Sequence, residues 1–167
     1  MNNLAEFLAH AITLEDESAQ RFDELADALE VHHNGDVVEL FRKMAHYSRL
    51  HLADARERAT GLDLPRLAAW EYKWPGAESP EAIEVFDVHY KMTPFHALTA
   101  ALESEKQGQA FYAHIAETAA DPGVRTLAAE FAAEEADHVT LLQGWLARTP
   151  PPEDHWSEDM DPPAAVD

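Results

Sequence analysis

The chain has 167 residues, of which 46% are hydrophobic, and a formal net charge of −20 at pH 7. This length and composition fit one globular domain with a sizeable core, and the negative charge opposes binding to nucleic-acid phosphates. The absence of cysteine excludes disulfides, thiolate zinc sites and iron–sulfur clusters. No apolar run approaches a membrane span and no basic leader precedes the first predicted helix, so we expect a cytoplasmic protein.

Two long helices are predicted in the first half of the chain. Asn3, with Glu6 three residues later, has the pattern of a helix N-cap, and Asp36 begins a second helix after an interruption at residues 32–35. The second helix is predicted to end near Thr60. Each helix carries an inner stripe with a spacing near 3.6 residues. These stripes are Leu4, Leu8, Ala11, Glu15, Ser18, Phe22, Leu25 and Leu29, and then Val37, Leu40, Phe41, Met44, Ser48, His51, Leu52 and Ala55.

Two further helices are predicted in the second half. Both begin with a capping residue followed by proline, at Thr93–Pro94 and at Asp121–Pro122. Proline at the first helical position loses no hydrogen bond and has the required backbone angle, so both starts are well defined. The inner stripes are Leu98, Ala101, Leu102, Glu105, Gly108, Phe111, Tyr112 and Ile115, and then Val124, Leu127, Ala128, Phe131, Glu135, His138, Val139, Leu142 and Trp145.

The lengths of the connections determine the predicted topology. Few residues separate the first helix from the second, or the third from the fourth, so each pair should form an antiparallel hairpin. A long segment at about residues 61–92, in which Ser79–Pro80 could start a short helix, must cross from one hairpin to the other. We therefore predict an all-α four-helix bundle over residues 1–148, followed by a tail at 149–167 that is rich in proline and acidic residues.

The two predicted hairpins also align with each other. Segment 15–22 aligns with segment 105–112, and segment 40–51 aligns with segment 127–138. Duplication of a helical hairpin is the natural explanation. Polar residues occupy matching positions in the two copies: Glu15, Ser48 and His51 in the first, Glu105, Glu135 and His138 in the second.

These polar side chains lie in the middle of stripes that should be apolar. Unpaired buried charges are costly, so carboxylates and imidazoles that meet at mid-bundle need a cation to neutralise them. This donor set suits iron, manganese or zinc better than magnesium or calcium. The predicted metal ligands are Glu15, His51, Glu105, Glu135 and His138, with Ser48 facing the site.

Each of these residues also has an ordinary structural explanation. An isolated Glu-x-x-His pair often lies on a solvated helix face, and a single buried histidine is more often a hydrogen-bonded core residue than a ligand. A glutamate in mid-stripe could pair with Arg21 or Arg49. The metal hypothesis is favoured because the polar residues are in phase on all four predicted helices and in both repeats.

At these residues the sequence resembles the rubrerythrin-like branch of the ferritin-like superfamily, over most of residues 4–147. The resemblance rests on segments 15–22 and 105–112 and on Phe131-Ala-Ala-Glu-Glu-Ala-Asp-His138. It implies a ferritin-like bundle that binds two metal ions, usually iron. The resemblance assigns Glu15 and His51 to one ion, Glu105 and His138 to the other, and Glu135 to a bridge between them.

Three departures from the family pattern affect what the resemblance implies. Ser48 stands where the family has a glutamate on the second helix, and Gly108 stands where peroxide-reducing rubrerythrins carry an additional glutamate. The lack of cysteine leaves no rubredoxin-type iron site in this sequence. With one carboxylate fewer, we expect an asymmetric dinuclear site, a single occupied position or an empty remnant.

Two functions are therefore expected as alternatives. The first is an iron-binding oxidoreductase in which a non-haem metal pair reacts with dioxygen or peroxide, with Tyr47 and Tyr112 as candidate hydrogen-bond or electron-relay residues. The second is a metal-binding or structural stress protein without turnover, which Ser48 favours. Cage-type iron storage is less favoured, because the long crossover and loose tail are not typical of a shell-forming subunit.

The predicted partners depend on which function is correct. A redox-active centre needs an external electron donor, whereas nucleic acid and membrane are excluded as partners by charge and hydropathy. Apolar residues near Trp70 and Trp74 could form the interface of a homodimer, as members of the resembled family often do. The same tryptophans could instead cover the protein's own core.

Overall fold

The computed structural model describes residues 1, 3–31, 34–68, 71–74 and 93–152. Within these ranges the chain forms four α-helices and no strand. They are α1 (Leu4–Glu30), α2 (Gly35–Arg58), α3 (Pro94–Thr118) and α4 (Pro122–Ala147). Helix α1 packs along α2, and α3 packs along α4. The predicted all-α bundle of two helical hairpins with a long crossover is confirmed.

The helix starts follow from their capping residues, with one exception. The Asn3 side chain accepts a hydrogen bond from the backbone N–H of Glu6 at 2.8 Å, and Thr93 and Asp121 cap α3 and α4 in the same way. The predicted start at Asp36 is wrong, because α2 begins at Gly35. Asp36 lies instead in the first turn, where its charge favours the positive end of the helix dipole.

The bundle core has two apolar clusters. The first joins the end of α1 and the start of α2 to α3 and α4, and the second joins the start of α1 and the end of α2 to the other ends of α3 and α4. Large members of the first cluster are Phe22, Leu29, Phe41, Met44, Leu98 and Leu142. Large members of the second are Phe7, Leu8, Leu14, Phe111, Tyr112 and Phe131.

Buried polar side chains lie on the helices between these two clusters. We call this set the polar layer: Glu15, Ser18, Arg21, Ser48, Ser104, Glu105, Glu135 and His138. Each helix contributes polar side chains to the layer because they are in phase with its apolar stripe. When the stripe packs against the other helices, these polar groups are buried with it. The apolar clusters on either side hold the layer away from bulk water.

The described parts of the connection between α2 and α3 include a turn and a short contact segment. Gly61 has a φ of 85°, a left-handed conformation that glycine adopts without strain, and it turns the chain after α2. Trp74 packs against Phe111 of the second cluster, which favours its role in covering this protein's own core. Trp70 and the predicted helix start at Ser79–Pro80 lie outside the described residues.

Two other predictions concern the C-terminal tail and the absence of a membrane span. Residues 153–167 of the tail lie outside the described residues, so the division into a bundle at 1–148 and a tail at 149–167 stays a prediction. Among the described residues, no helix combines the length and the hydropathy needed to cross a bilayer.

A buried histidine joins this connection to α1. Nδ1 of His10 lies 2.9 Å from the backbone oxygen of Glu6, and Nε2 accepts the backbone N–H of Lys73 at 2.8 Å. These two bonds fix the neutral tautomer with the proton on Nδ1, because Nε2 must keep its lone pair. The ring also meets Tyr72 and Trp74 edge to face. Burial lowers the pKa of His10 below its ordinary value of 6.5, although Glu6 opposes the shift.

Protonation of His10 is expected to destabilise the fold as the pH falls. Its folded pKa is below the unfolded value of 6.5, so the unfolded chain binds more protons in this range and stability decreases below that pH. His10→Gln, which keeps an acceptor for Lys73, should show a smaller loss of unfolding free energy than wild type between pH 7 and pH 5. Urea unfolding across this range measures the difference. Equal pH dependence in both proteins would contradict the assignment.

Candidate metal centre

The structure brings all five predicted ligands together in or beside the polar layer. They form two overlapping groups whose potential ligand atoms lie within 4.8 Å of one another. The first group contains Glu15, His51 and Glu135, and the second contains Glu105, Glu135 and His138. Glu135 belongs to both groups. The grouping follows from helical phase, since residues three apart on α4 project from the same face.

The first group joins α1, α2 and α4. Oε2 of Glu15 lies 3.8 Å from Nδ1 of His51, and Oε1 of Glu15 accepts a hydrogen bond from the Tyr112 hydroxyl at 3.2 Å. Nδ1 of His51 is buried and has no hydrogen-bond partner among the described residues. A buried imidazole nitrogen beside two carboxylates, with no hydrogen bond, fits a metal ligand.

The protonation state of His51 agrees with that role. Burial and the neighbouring His138 lower the pKa of His51 to about 4, although Glu105 and Asp54 oppose the shift. The imidazole is therefore neutral near pH 7, and a neutral ring nitrogen is the form that binds metal. At the edge of the layer, Glu134 is partly exposed and approaches Nε2 of His51 at 3.5 Å. Sequence periodicity did not indicate Glu134, because it is one position out of phase with Glu135.

The second group joins α3 and α4. Nδ1 of His138 lies 3.3 Å from Oε2 of Glu105 and 3.7 Å from Oε2 of Glu135. Burial alone would raise the pKa of Glu105, but hydrogen bonds with Glu135 and His138 and the charge of Arg21 outweigh it and lower this pKa. Glu105 is therefore held as a carboxylate although its side chain is completely buried.

Arg21 is the main feature of the layer that the metal hypothesis did not include. Nη2 of Arg21 donates to Oε1 of Glu105 at 2.8 Å and to Oγ of Ser18 at 3.2 Å, and Nη1 donates to Oγ of Ser104 at 2.8 Å. The alternative pairing of a mid-stripe glutamate with Arg21 is thus correct for Glu105. Arg49, the other candidate, forms its ion pair with Asp23 on the surface. The available signal was the spacing of Arg21 three residues after Ser18 on the inner face of α1.

Ser48 lies within the polar layer, and its predicted position facing a metal ion stays a prediction. It is buried, and its hydroxyl lies 2.9 Å from the hydroxyl of Ser18. Ser18 in turn accepts from Arg21. Ser48 stands where the resembled family has a carboxylate. It is therefore linked to the Arg21 guanidinium through the Ser18 hydroxyl.

Aromatic rings enclose the two histidines. The rings of His51 and His138 stack with their centroids 5.2 Å apart and their planes at 8°, and Tyr47 stacks on His138 at 6.0 Å. The Tyr112 hydroxyl is engaged with Glu15. These contacts give both tyrosines a structural role beside the layer, whereas the predicted electron relay stays a prediction.

Comparison with known proteins agrees with this geometry. The Rubrerythrin family matches residues 6–88, which include most of α1, all of α2 and part of the connection after them. The structure is also similar to the crystal structure of an uncharacterized conserved protein from Magnetospirillum magnetotacticum MS-1. That chain is 48% identical, the match covers 90% of this chain and 98% of the other, and the TM-score is 0.78. The chain belongs to the rubrerythrin-like branch of the ferritin-like superfamily. No curated protein matches it.

Membership in the rubrerythrin-like branch identifies a di-iron ferritin-like family, and this chain has carboxylate and imidazole groups that could hold metal. The residues present fit such an ion, since three buried carboxylates and two imidazoles converge from all four helices. The rubrerythrin-like pattern is altered at Ser48, and Arg21 places a permanent positive charge in the layer.

Proposed function

We propose that this protein is a non-haem iron oxidoreductase. It would bind iron in the polar layer and use that iron to react with dioxygen or peroxide. The observation that supports the proposal most strongly is the buried Nδ1 of His51, which lies beside Glu15 and Glu135 and has no hydrogen-bond partner in the part of the chain that the structure describes. A purely structural core histidine normally has such a bond. Iron bound there would supply electron exchange with the small oxidant, which the side chains of this chain cannot supply themselves.

The surrounding residues have separable roles in this proposal. Glu15 and Glu135 would neutralise the ion, and His51 would contribute a neutral nitrogen. The Tyr112 hydroxyl orients Glu15 by a hydrogen bond, which fixes the direction of the second carboxylate oxygen. Flanking apolar clusters exclude water from the layer, which strengthens the interaction between each carboxylate and a cation.

The test has two steps, binding and turnover. Protein purified without added metal is analysed for iron, manganese and zinc, and protein loaded with Fe(II) under anaerobic conditions is then mixed with hydrogen peroxide or dioxygen. We expect bound iron and consumption of oxidant over repeated cycles of reduction, with chelated protein as the control. Bound iron that oxidises without cycling would reject the enzyme and leave the binding proposal standing. Lack of any bound metal would reject both.

A second candidate is a metal-binding protein without turnover. The Ser48–Ser18 hydroxyl pair supports it, since a carboxylate is missing from the position where the rubrerythrin-like branch has one. The two candidates differ in the cycling step of the same experiment. The homodimer, the external electron donor and the cytoplasmic location stay predictions that accompany the first candidate.

A further inference from the structure

We infer that the layer holds one divalent ion rather than two, in the group of Glu15, His51 and Glu135, because the guanidinium of Arg21 takes the place of the second cation beside Glu105. This inference rests on the proposed metal-binding function and adds to it the number and position of the ion. It also gives Arg21 a specific role as the internal counter-ion of the centre.

The first argument is the state of Glu105. Its Oε1 accepts from Arg21 at 2.8 Å, and its Oε2 accepts from Nδ1 of His138 at 3.3 Å. Both oxygens of this carboxylate therefore already hold hydrogen bonds, one of them from a group that is always charged. A metal ion bound to Glu105 and His138 would have to break the His138 contact and sit close to the guanidinium.

The second argument is the way in which Arg21 is held. Its side chain is 3% exposed, and its two terminal nitrogens donate to Ser104, Ser18 and Glu105. A buried guanidinium fixed by three donor–acceptor pairs from two helices is part of the packed core, not a mobile surface group. Movement of Arg21 away from the layer would require these bonds to break without access to water.

The third argument is the charge of the layer. Its buried carboxylates are Glu15, Glu105 and Glu135, and Arg21 is its buried permanent cation, so the layer has a formal charge of −2 when all three carboxylates are ionised, as metal binding requires. One divalent ion neutralises this charge, whereas two would leave a surplus of two positive charges in a low-dielectric core. The absence of a carboxylate at Ser48 and the presence of Arg21 therefore act in the same direction, since both make the layer less negative.

The fourth argument concerns which of the two groups of candidate ligands is available to bind the ion. Nδ1 of His51 is buried and has no hydrogen-bond partner among the described residues, whereas Nδ1 of His138 already lies against Glu105. An ion in the first group gains a new bond to His51 and leaves the contacts of Glu105 with Arg21 and His138 in place. The two histidines therefore have unequal roles, although the sequence repeat makes them equivalent.

The test is metal stoichiometry in the full chain, measured without reference to activity. Metal-free protein is titrated anaerobically with Mn(II), and bound metal is counted after gel filtration and examined by electron paramagnetic resonance. Wild type should bind one Mn(II) per chain with the spectrum of an isolated ion. His51→Ala should abolish this binding, and His138→Ala should retain the ion. Arg21→Gln should admit a second ion with a spin-coupled spectrum, whereas Arg49→Gln, at a surface ion pair, should behave as wild type.

Each contrary outcome has a different meaning. Two ions per chain in wild type, or loss of the ion in His138→Ala and not in His51→Ala, would overturn the inference and leave the metal-binding function standing. A folded Arg21→Gln that still binds one ion would overturn the role of Arg21. If Arg21→Gln does not fold, the wild-type count and the two histidine variants decide the question. Lack of binding in wild type would remove the proposed function and the inference together.

Discussion

Replacement of Glu135 by alanine is expected to lower the metal affinity of the polar layer more than replacement of Glu105 does. Glu135 is the one residue shared by both groups of candidate ligands, so its loss leaves neither group with two carboxylates. Loss of an outer hydrogen-bond partner of a metal site typically costs about 10–100-fold in affinity. Loss of Glu135 should exceed this range, because a ligand and a neutralising charge disappear together.

The measurement is equilibrium titration of metal-free protein with Mn(II) or Fe(II) at fixed pH and salt. The matched control is Glu130→Ala, which removes a carboxylate from the exposed face of α4, where it pairs with Arg58. The control should bind metal as wild type does. Glu105→Gln should lower the affinity less than Glu135→Ala, since it leaves the group of Glu15, His51 and Glu135 intact. Unchanged affinity in Glu135→Ala would disprove the metal centre.

The sequence predicted the fold because its signals are local and mutually consistent. Thr93–Pro94 and Asp121–Pro122 mark helix starts through capping and proline geometry, which do not depend on tertiary contacts. The order of short and long connections then leaves one arrangement of hairpins. The predicted start of α2 at Asp36 was wrong because an acidic residue is favourable both at the N-cap and in the first turn of a helix. The sequence alone therefore does not distinguish these two positions.

Convergence of the five candidate ligands was predictable for a related reason. Glu15, Glu105 and Glu135 lie in phase with apolar stripes, and the stripes must meet in the core of the bundle. Periodicity therefore places each carboxylate in the core although it does not identify the neighbours. Whether these residues bind metal remains the prediction that the titrations test.

The contacts of Arg21 and His10 could not be derived in the same way. A long arginine on a helix face can extend to solvent or to any of several carboxylates, and the choice depends on the packing of α3 against α1. His10 bonds to the backbone of Lys73, which is 63 residues away in sequence and lies outside the four helices. Such bonds between a side chain and the backbone leave no pattern in the sequence, since any residue type except proline can supply the N–H group.

The largest stability effect is expected from breaking the buried ion pair on one side only. Glu105→Gln removes the charge that faces Arg21 and leaves a guanidinium in a core from which it cannot be deprotonated. Removal of one partner of a buried pair typically costs about 3–5 kcal/mol of unfolding free energy. The amide oxygen introduced by Glu105→Gln can still accept a hydrogen bond from Arg21, so we expect a value near the lower limit of the range.

A double variant separates two effects on stability: the effect of leaving Arg21 without its ion-pair partner, and the effect of removing the Glu105 carboxylate itself. In Arg21→Met with Glu105→Met, both members of the buried pair are removed together, so the loss should be much smaller than in Glu105→Gln, as for other buried pairs replaced by apolar side chains. Asp54→Asn is the surface control, because it breaks an exposed pair with Arg58 that contributes at most about 1 kcal/mol. Urea unfolding of metal-free protein at pH 7 gives all four free energies. A Glu105→Gln variant as stable as the surface control would show that Arg21 does not need Glu105, and the counter-ion role assigned to Arg21 would then be wrong.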